Sequence, residues 1–312
     1  MKLLACIAAL LVAGLLPARA DDDAVTLSEL VQGAQQWAQE NLDTNVVNVL
    51  PAVDDPAVQQ FFQEIQRRYQ GEYVVDLAPL RQTAQSALSW LDSSDETRPY
   101  AAWLKAQMDY LDIADEIRIA IPPPEVETNR PPPPVPNPSA QRERELWVKR
   151  VSVVPWPAAA REYVPELKPI FTAQQVPPDL VWVAEAESSF DRHALSPAGA
   201  AGLFQLMPDT ARRFGLSLWP RDQRFQAEPS AAASAQYLKY LHDRFKDWRL
   251  ALAAYNAGEG TIQRLLDRYR THDYDEIAGH LPAETQMYVP RVEAILRQRE
   301  GVDLEQLSAP QN

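Results

Sequence analysis

A mainly α fold, two helical modules with one minor β element, follows from three observations. Apolar residues recur at three- and four-residue spacing through most of the chain. A proline-rich stretch divides it near the middle. A run of glycine and small residues, Ser196 to Leu206, interrupts the second half where helix propensity is low, and a short β-hairpin or extended loop is expected there. At 312 residues the chain is long enough for one large or two modest domains.

The first twenty residues read as a leader. Lys2 supplies a positive start, Leu3 to Leu16 is an uncharged apolar run, and Pro17-Ala18-Arg19-Ala20 ends in Ala-x-Ala. Cleavage before Asp21, and hence an exported, periplasmic chain, is the expectation. The run is short for a membrane span. Leu3-Leu4-Ala5-Cys6 imitates a lipidation box but falls before most of the apolar run. Cys6 is the sole cysteine, so a cleaved chain has no disulfide and no cysteine-based metal site.

Residues 21–121 read as an acidic helical bundle. Its stripes are Leu27, Leu30, Val31 and Trp37; then Phe61, Phe62, Ile65 and Tyr69 after Asp55-Pro56; then Leu77, Leu80, Ala84, Ala87, Leu88 and Leu91; then Tyr100, Leu104, Met108, Leu111 and Ile113. Trp37, Trp90 and Trp103 are expected inside this bundle rather than on a sugar-binding face. Residues 122–140 hold Pro122-Pro123-Pro124 and Pro131 to Pro134, which remove backbone donors and fix φ, so a semi-rigid spacer with separate cores on either side is expected.

The second module, 141–312, is expected to be helical around the glycine-rich interruption. Pro208 suits a first helical turn and Gly215 a C-terminal stop. A helix from Pro229 places Ala232, Ala233, Tyr237, Leu238 and Leu241 inward. Another carries Trp248, Ala251, Leu252 and Tyr255 and ends at Asn256-Ala257-Gly258. A last one runs from about Glu284 to Arg299, kinked or broken at Pro290.

The net charge is −13. Residues 21–121 hold roughly 18 acids against roughly 6 bases and carry most of that excess. No basic face is available for phosphates, which argues against a nucleic-acid partner. His193, His242, His272 and His280 are scattered without metal-ligand spacing and read as surface or loop residues; no metal and no cofactor are expected.

The chemistry concentrates at Glu187. In Asp179 to Phe190, read as a helix, Leu180, Val183 and Ala184 make an apolar stripe whose next position is Glu187. Glu185 lies about 200° around, on the opposite face, where amidation is expected to be nearly silent. A carboxyl on a buried stripe loses solvation, and a helix C-terminus adds negative potential; both raise its pKa. Such a Glu stays protonated near neutral pH, as a general acid at a glycosidic bond must.

Three further motifs follow in order: Ser196-Pro197-Ala198-Gly199-Ala200-Ala201-Gly202-Leu203-Phe204-Gln205-Leu206-Met207-Pro208, then Ala251 to Gly258, then Leu281 to Pro290 with Glu284 and Tyr288. With Glu187-Ser188 at their head, these resemble the soluble-type lytic transglycosylases, most nearly the membrane-bound lytic murein transglycosylase D type, over about residues 165–300. The resemblance implies a lysozyme-like catalytic domain and peptidoglycan glycan strands as substrate. It implies one acid, Glu187, which protonates the bond between N-acetylmuramic acid and N-acetylglucosamine and then, ionised, accepts the C6 hydroxyl proton to leave a 1,6-anhydro end. Ser188, Gly202, Phe204, Gln205, Met207, Tyr255, Asn256 and Tyr288 are the implied substrate-binding positions. Gln205 offers a donor and an acceptor suited to an N-acetyl group, Gly199 and Gly202 allow close approach to the sugar, and Tyr288 is the candidate hydroxyl beside Glu187. Glu284, one turn before Tyr288, reads as structural or as a partner for a helix terminus. A goose-type lysozyme on the same fold would need a second acid, for which Asp191 and Asp209 are the candidates; a non-catalytic peptidoglycan-binding protein would need no buried acid. The N-terminal module is left for placement or for a cell-wall protein partner.

Overall fold

The computed structural model describes residues 56–120 and 137–310. The leader, the first stripe with Trp37, and most of the proline-rich stretch lie outside these residues. Among those described, helices dominate and extended pairing is confined to two isolated bridges.

The predicted stripes before the spacer become α1 (Pro56–Tyr69), α2 (Leu80–Leu91) and α3 (Arg98–Ala120). Phe62, Ile65, Tyr69, Leu104, Leu111 and Ile113 are buried, as the 3.6-residue period requires. Trp103 is buried against Phe62, but Trp90 is 40% exposed, so the expectation of a buried ring there is corrected.

After the spacer come two helices that the stripe pattern did not pick out, α4 (Ala140–Val153) and α5 (Ala160–Ala173). Ser139 caps α4 by accepting from the Arg142 amide at 3.3 Å. Charged residues hide the stripe of α4, and Pro165 and Pro169 hide the helix of α5. A 3₁₀ turn, Pro178–Trp182, leads into the six-residue α6 (Val183–Ser188). Beyond the glycine-rich loop lie α7 (Pro208–Arg213), α8 (Ala227–Phe245), α9 (Trp248–Ala257), α10 (Glu259–Tyr269), α11 (Tyr274–Ile277) and α12 (Ala283–Glu300). Pro208 opens α7, Asp247 caps α9 through the Leu250 amide, and Gly301, at φ 70°, ends α12. Pro290 sits buried inside α12, which continues through it rather than restarting.

The minor β element is smaller than a hairpin ladder. Leu195 bridges Ala201, and Ala201 bridges Leu206. Buried Arg224 pins this loop by donating to the carbonyls of Gly199 (2.7 Å) and Leu206 (3.0 Å), its own charge balanced by Asp222. His242 is buried against Trp248 rather than on the surface.

The helices on the two sides of the spacer share one hydrophobic core. The rings of Tyr110 on α3 and Trp147 on α4 meet edge to face at 5.3 Å. The Ala283 amide donates to Gly71 O at 2.7 Å, the Leu195 amide to Pro99 O at 3.0 Å, and Gln286 to Glu72 O at 2.8 Å. The expectation of separate cores is therefore overturned: proline breaks secondary structure locally, but it does not prevent the flanking segments from packing together.

This generates a prediction. Residues 141–312 expressed alone should not fold cooperatively, because removing α3 uncovers Trp147 and the buried face of α12. Each large apolar side chain returned to water costs about 1.5–3 kcal/mol, against a net stability of roughly 5–15 kcal/mol. A sigmoidal urea transition in that fragment, equal to the transition of residues 56–312, would refute it.

Candidate active site

Helix α6 is too short to stand alone, since isolated helices below about 12 residues are marginal in water. Three consecutive residues of it are gripped by α12. Glu185 accepts two hydrogen bonds from Arg299, at 3.0 and 2.7 Å. The Ala186 carbonyl accepts from Arg291 at 3.3 Å. Glu187 Oε1 accepts from the Tyr288 hydroxyl at 2.6 Å.

The helical wheel misplaces Glu185. Leu180, Val181, Trp182, Val183, Ala184, Glu185 and Ala186 are all buried, so the segment has no solvent face. Its first part is 3₁₀, and α3, α5 and α12 enclose it. Glu185 and Arg299 form a buried ion pair with side-chain exposures of 7% and 3%, and Arg299 also donates to Val154 O. A nearly silent Glu185→Gln is therefore corrected to a destabilising one. It leaves a buried guanidinium without its counter-charge, and the expected loss is about 3 kcal/mol, read from the urea midpoint with the far-ultraviolet circular dichroism of the native state retained.

The chain turns sharply after the acid. Ser189 (φ 52°) and Phe190 (φ 60°) are both left-handed, and their amides return to Glu185 O and Ala184 O. A bulky residue there is strained, which the buried ring of Phe190 against Trp182 offsets. The turn ends α6 one residue past Glu187 and leaves its carboxyl half-buried rather than sealed.

Burial pushes Glu187 up to about 8, and the neighbouring Glu284 adds to the rise; the Tyr288 hydroxyl and the Arg291 charge oppose it. Glu284 is itself pushed up to about 7 by burial, with Asn256 pulling it back. Asn256 Nδ2 donates to Glu284 at 3.4 Å while its carbonyl accepts from Thr285 at 2.6 Å. Tyr255 donates to Phe204 O at 2.8 Å and exchanges a hydrogen bond with Ser234 at 3.1 Å. Ser188 donates to Leu203 O at 2.8 Å, tying α6 to the glycine-rich loop.

Several expected ligand positions hold the loop itself. Gln205, at φ 45°, points its amide into the protein: Nε2 donates to Ala194 O (3.1 Å) and Gly202 O (2.9 Å), while Oε1 is buried without a partner. Gly202 is needed for close approach of the Arg224 backbone, since a Cβ would fall 1.9 Å from Arg224 O; the close approach expected for a sugar is taken by protein. Phe204 is fully buried against Phe171, whereas Met207 is 43% exposed. Asp191 accepts from the His193 amide in a turn, and Asp209, with a 97% exposed side chain, pairs with Arg212. The second acid coupled to Glu187 is Glu284 instead. The sequence carried a signal for it: Glu284, Tyr288 and Arg291 are spaced four and three apart, on one helix face.

Among the described residues no group of three or more His, Cys, Asp or Glu side chains is placed to hold a metal, and no helix is long and apolar enough to cross a membrane.

A carboxyl with a raised pKa stands at a helix end, held by a tyrosine beside a pinned glycine-rich loop. The Transglycosylase SLT domain matches residues 171–278. The chain is 36% identical over 126 residues to the membrane-bound lytic murein transglycosylase D of Escherichia coli strain K12, covering 39% of this chain and 28% of that protein. It is 30% identical over 134 residues to the membrane-bound lytic murein transglycosylase C of Haemophilus ducreyi, covering 38% and 36%. The crystal structure of the 70 kDa soluble lytic transglycosylase of Escherichia coli aligns at 18% identity with a TM-score of 0.40, over 91% of this chain and 61% of that one. The match thus spans about a third or less of the curated relatives' lengths.

The raised carboxyls of the core also set a pH dependence. Glu143 (about 8), Glu187 (about 8) and Glu284 (about 7) are raised above 4.5 by burial. The folded chain therefore holds protons that the unfolded chain has released, so their contribution to stability is full below about 4.5 and is lost as pH rises through 7 to 8. Burial raises Glu293 as well, while His242, which burial holds below its ordinary 6.5, works the other way as one group against four. The urea midpoint should fall from pH 5.5 to pH 8.5; a rise across that interval would contradict the assignment.

Proposed function

We propose that this chain is a peptidoglycan lytic transglycosylase that cuts the β-1,4 bond between N-acetylmuramic acid and N-acetylglucosamine. The observation that supports the reading most is Glu187, kept protonated near neutral pH by burial while Tyr288 holds one of its oxygens at 2.6 Å. With Tyr288 on Oε1, the other oxygen carries the proton to the bridging oxygen as the C1–O bond breaks. The N-acetyl group of the muramic acid steadies the cationic centre. The carboxylate left on Glu187 then takes the proton of the C6 hydroxyl as that oxygen bonds to C1. The product is a 1,6-anhydromuramoyl end, no water is consumed, and Glu187 is protonated again. A pKa close to the working pH suits a group that must give and then take a proton.

Met207, partly exposed beside the loop, offers apolar contact to the glycan, and Ser188, Gly202, Phe204, Gln205, Tyr255 and Asn256 serve binding through the contacts that hold the loop and helix ends in place. In chain order we propose a leader at 1–20 with cleavage near Ala20 and a periplasmic mature chain. An acidic segment to 121 and a proline-rich segment 122–140 follow, then the catalytic segment 141–312, with the parts on either side of the prolines acting as one unit.

Glu284 supports a second reading, a hydrolase in which this second buried carboxyl holds a water. Mass spectrometry of muropeptides separates the two, with anhydro ends expected and reducing ends supporting the hydrolase. Glu187→Gln should keep the fold and lose at least about a hundredfold in turnover of purified peptidoglycan, because the amide fills the same space but transfers no proton. Retention of more than about a tenth of the wild-type rate would exclude Glu187 as the acid.

A further inference from the structure

We infer that helix α3, which lies outside the matched SLT segment, is part of the apparatus that positions the acid: Asp109 acts through Arg291 on the end of α6 that carries Glu187. The inference deepens the proposed function and rests on Glu187 being the acid.

The geometry runs through one guanidinium. Arg291 is 3% exposed and follows Tyr288 by three residues, so both face α6 from one side of α12. Its Nη1 donates to Ala106 O on α3 at 3.0 Å and to Ala186 O on α6 at 3.3 Å. Its Nη2 donates to Asp109 Oδ2 at 3.2 Å. The planar group lies over the rings of Tyr110 (4.8 Å) and Trp147 (5.5 Å), which fix its plane. A single buried cation therefore joins a carbonyl of α3, a carboxylate of α3 and the carbonyl one residue before the acid.

The charge of Arg291 is shared outward. Asp109 also accepts from Arg150 at 2.8 Å, Arg150 donates to Asp112 at 2.6 Å, and Asp112 accepts from Arg81. Asp109 is the only carboxylate among the described residues with a side-chain hydrogen bond to Arg291. The other ionisable groups bearing on Glu187 are Tyr288 and Glu284 on α12, Tyr255 on α9 and Tyr110 on α3. Of these elements' charges, Arg291 is the one that favours the ionised acid, and Asp109 moderates it. Removing the Asp109 charge leaves Arg291 uncompensated and makes the proton of Glu187 easier to lose. Removing Arg150 leaves Asp109 to Arg291 alone and acts in the opposite sense.

The test uses the full mature chain and the pH dependence of turnover of purified peptidoglycan. Asp109→Asn should move the alkaline limb of the kcat profile down by about half a pH unit or more, with KM little changed. Arg150→Met should move the same limb up. Asp109→Glu, which keeps the charge, should restore the wild-type limb. If Asp109→Asn lowers the unfolding midpoint but leaves the profile in place, the contact is structural and the inference fails. If Asp109→Asn does not fold, Arg150→Met decides alone: an upward shift supports the inference, and an unmoved or downward-shifted limb overturns it. An active Glu187→Gln variant would instead defeat the proposed function; an inactive one with unmoved profiles at Asp109 and Arg150 defeats only this inference.

Discussion

A six-residue helix cannot fix a carboxyl by its own hydrogen bonds, and the structure around α6 supplies the rest of the hold. Helix α12 reaches it three times, with Arg299 on Glu185, Arg291 on Ala186 O and Tyr288 on Glu187. The first contact is a buried ion pair, the second a charged donor to a backbone carbonyl, the third a neutral donor to the acid. Their order matters. Full charge compensation falls on Glu185, two residues before Glu187, so Glu187 meets only a hydroxyl at close range and keeps its raised pKa. An arginine in the place of Tyr288 would favour the ionised carboxylate instead.

The same constraint explains why helices from before the proline-rich stretch join the core. Arg291 must be buried to reach Ala186 O, and a buried guanidinium needs a carboxylate and rings to lie against. Asp109 and Tyr110 on α3 and Trp147 on α4 supply them. The glycine-rich loop is held from the other side by buried Arg224 and by the Gln205 amide, which satisfy carbonyls that no sheet pairs. Loop and helix meet at Ser188, whose hydroxyl donates to Leu203 O. Glu187 thus sits between two supports, α12 on one side and the pinned loop on the other.

The sequence by itself determined the helical class, the stripes of α1, α2, α3, α8 and α9, and the position of Glu187, because periodicity, proline and glycine act over a few residues. It also placed Tyr288 beside the acid through the resemblance, and the hydrogen bond is there. Tertiary structure alone decided the rest. Glu185 looked solvent-facing because a wheel assumes one exposed side, yet its side chain is buried and a cation 114 residues away answers its charge. Gln205 and Gly202 looked like ligand positions, but the backbone of Arg224 and the carbonyls of Ala194 and Gly202 occupy them. The separation promised by the prolines vanished because burial of Trp147, Tyr110 and Arg291 depends on which surfaces meet in space, and chain composition between those surfaces does not govern that.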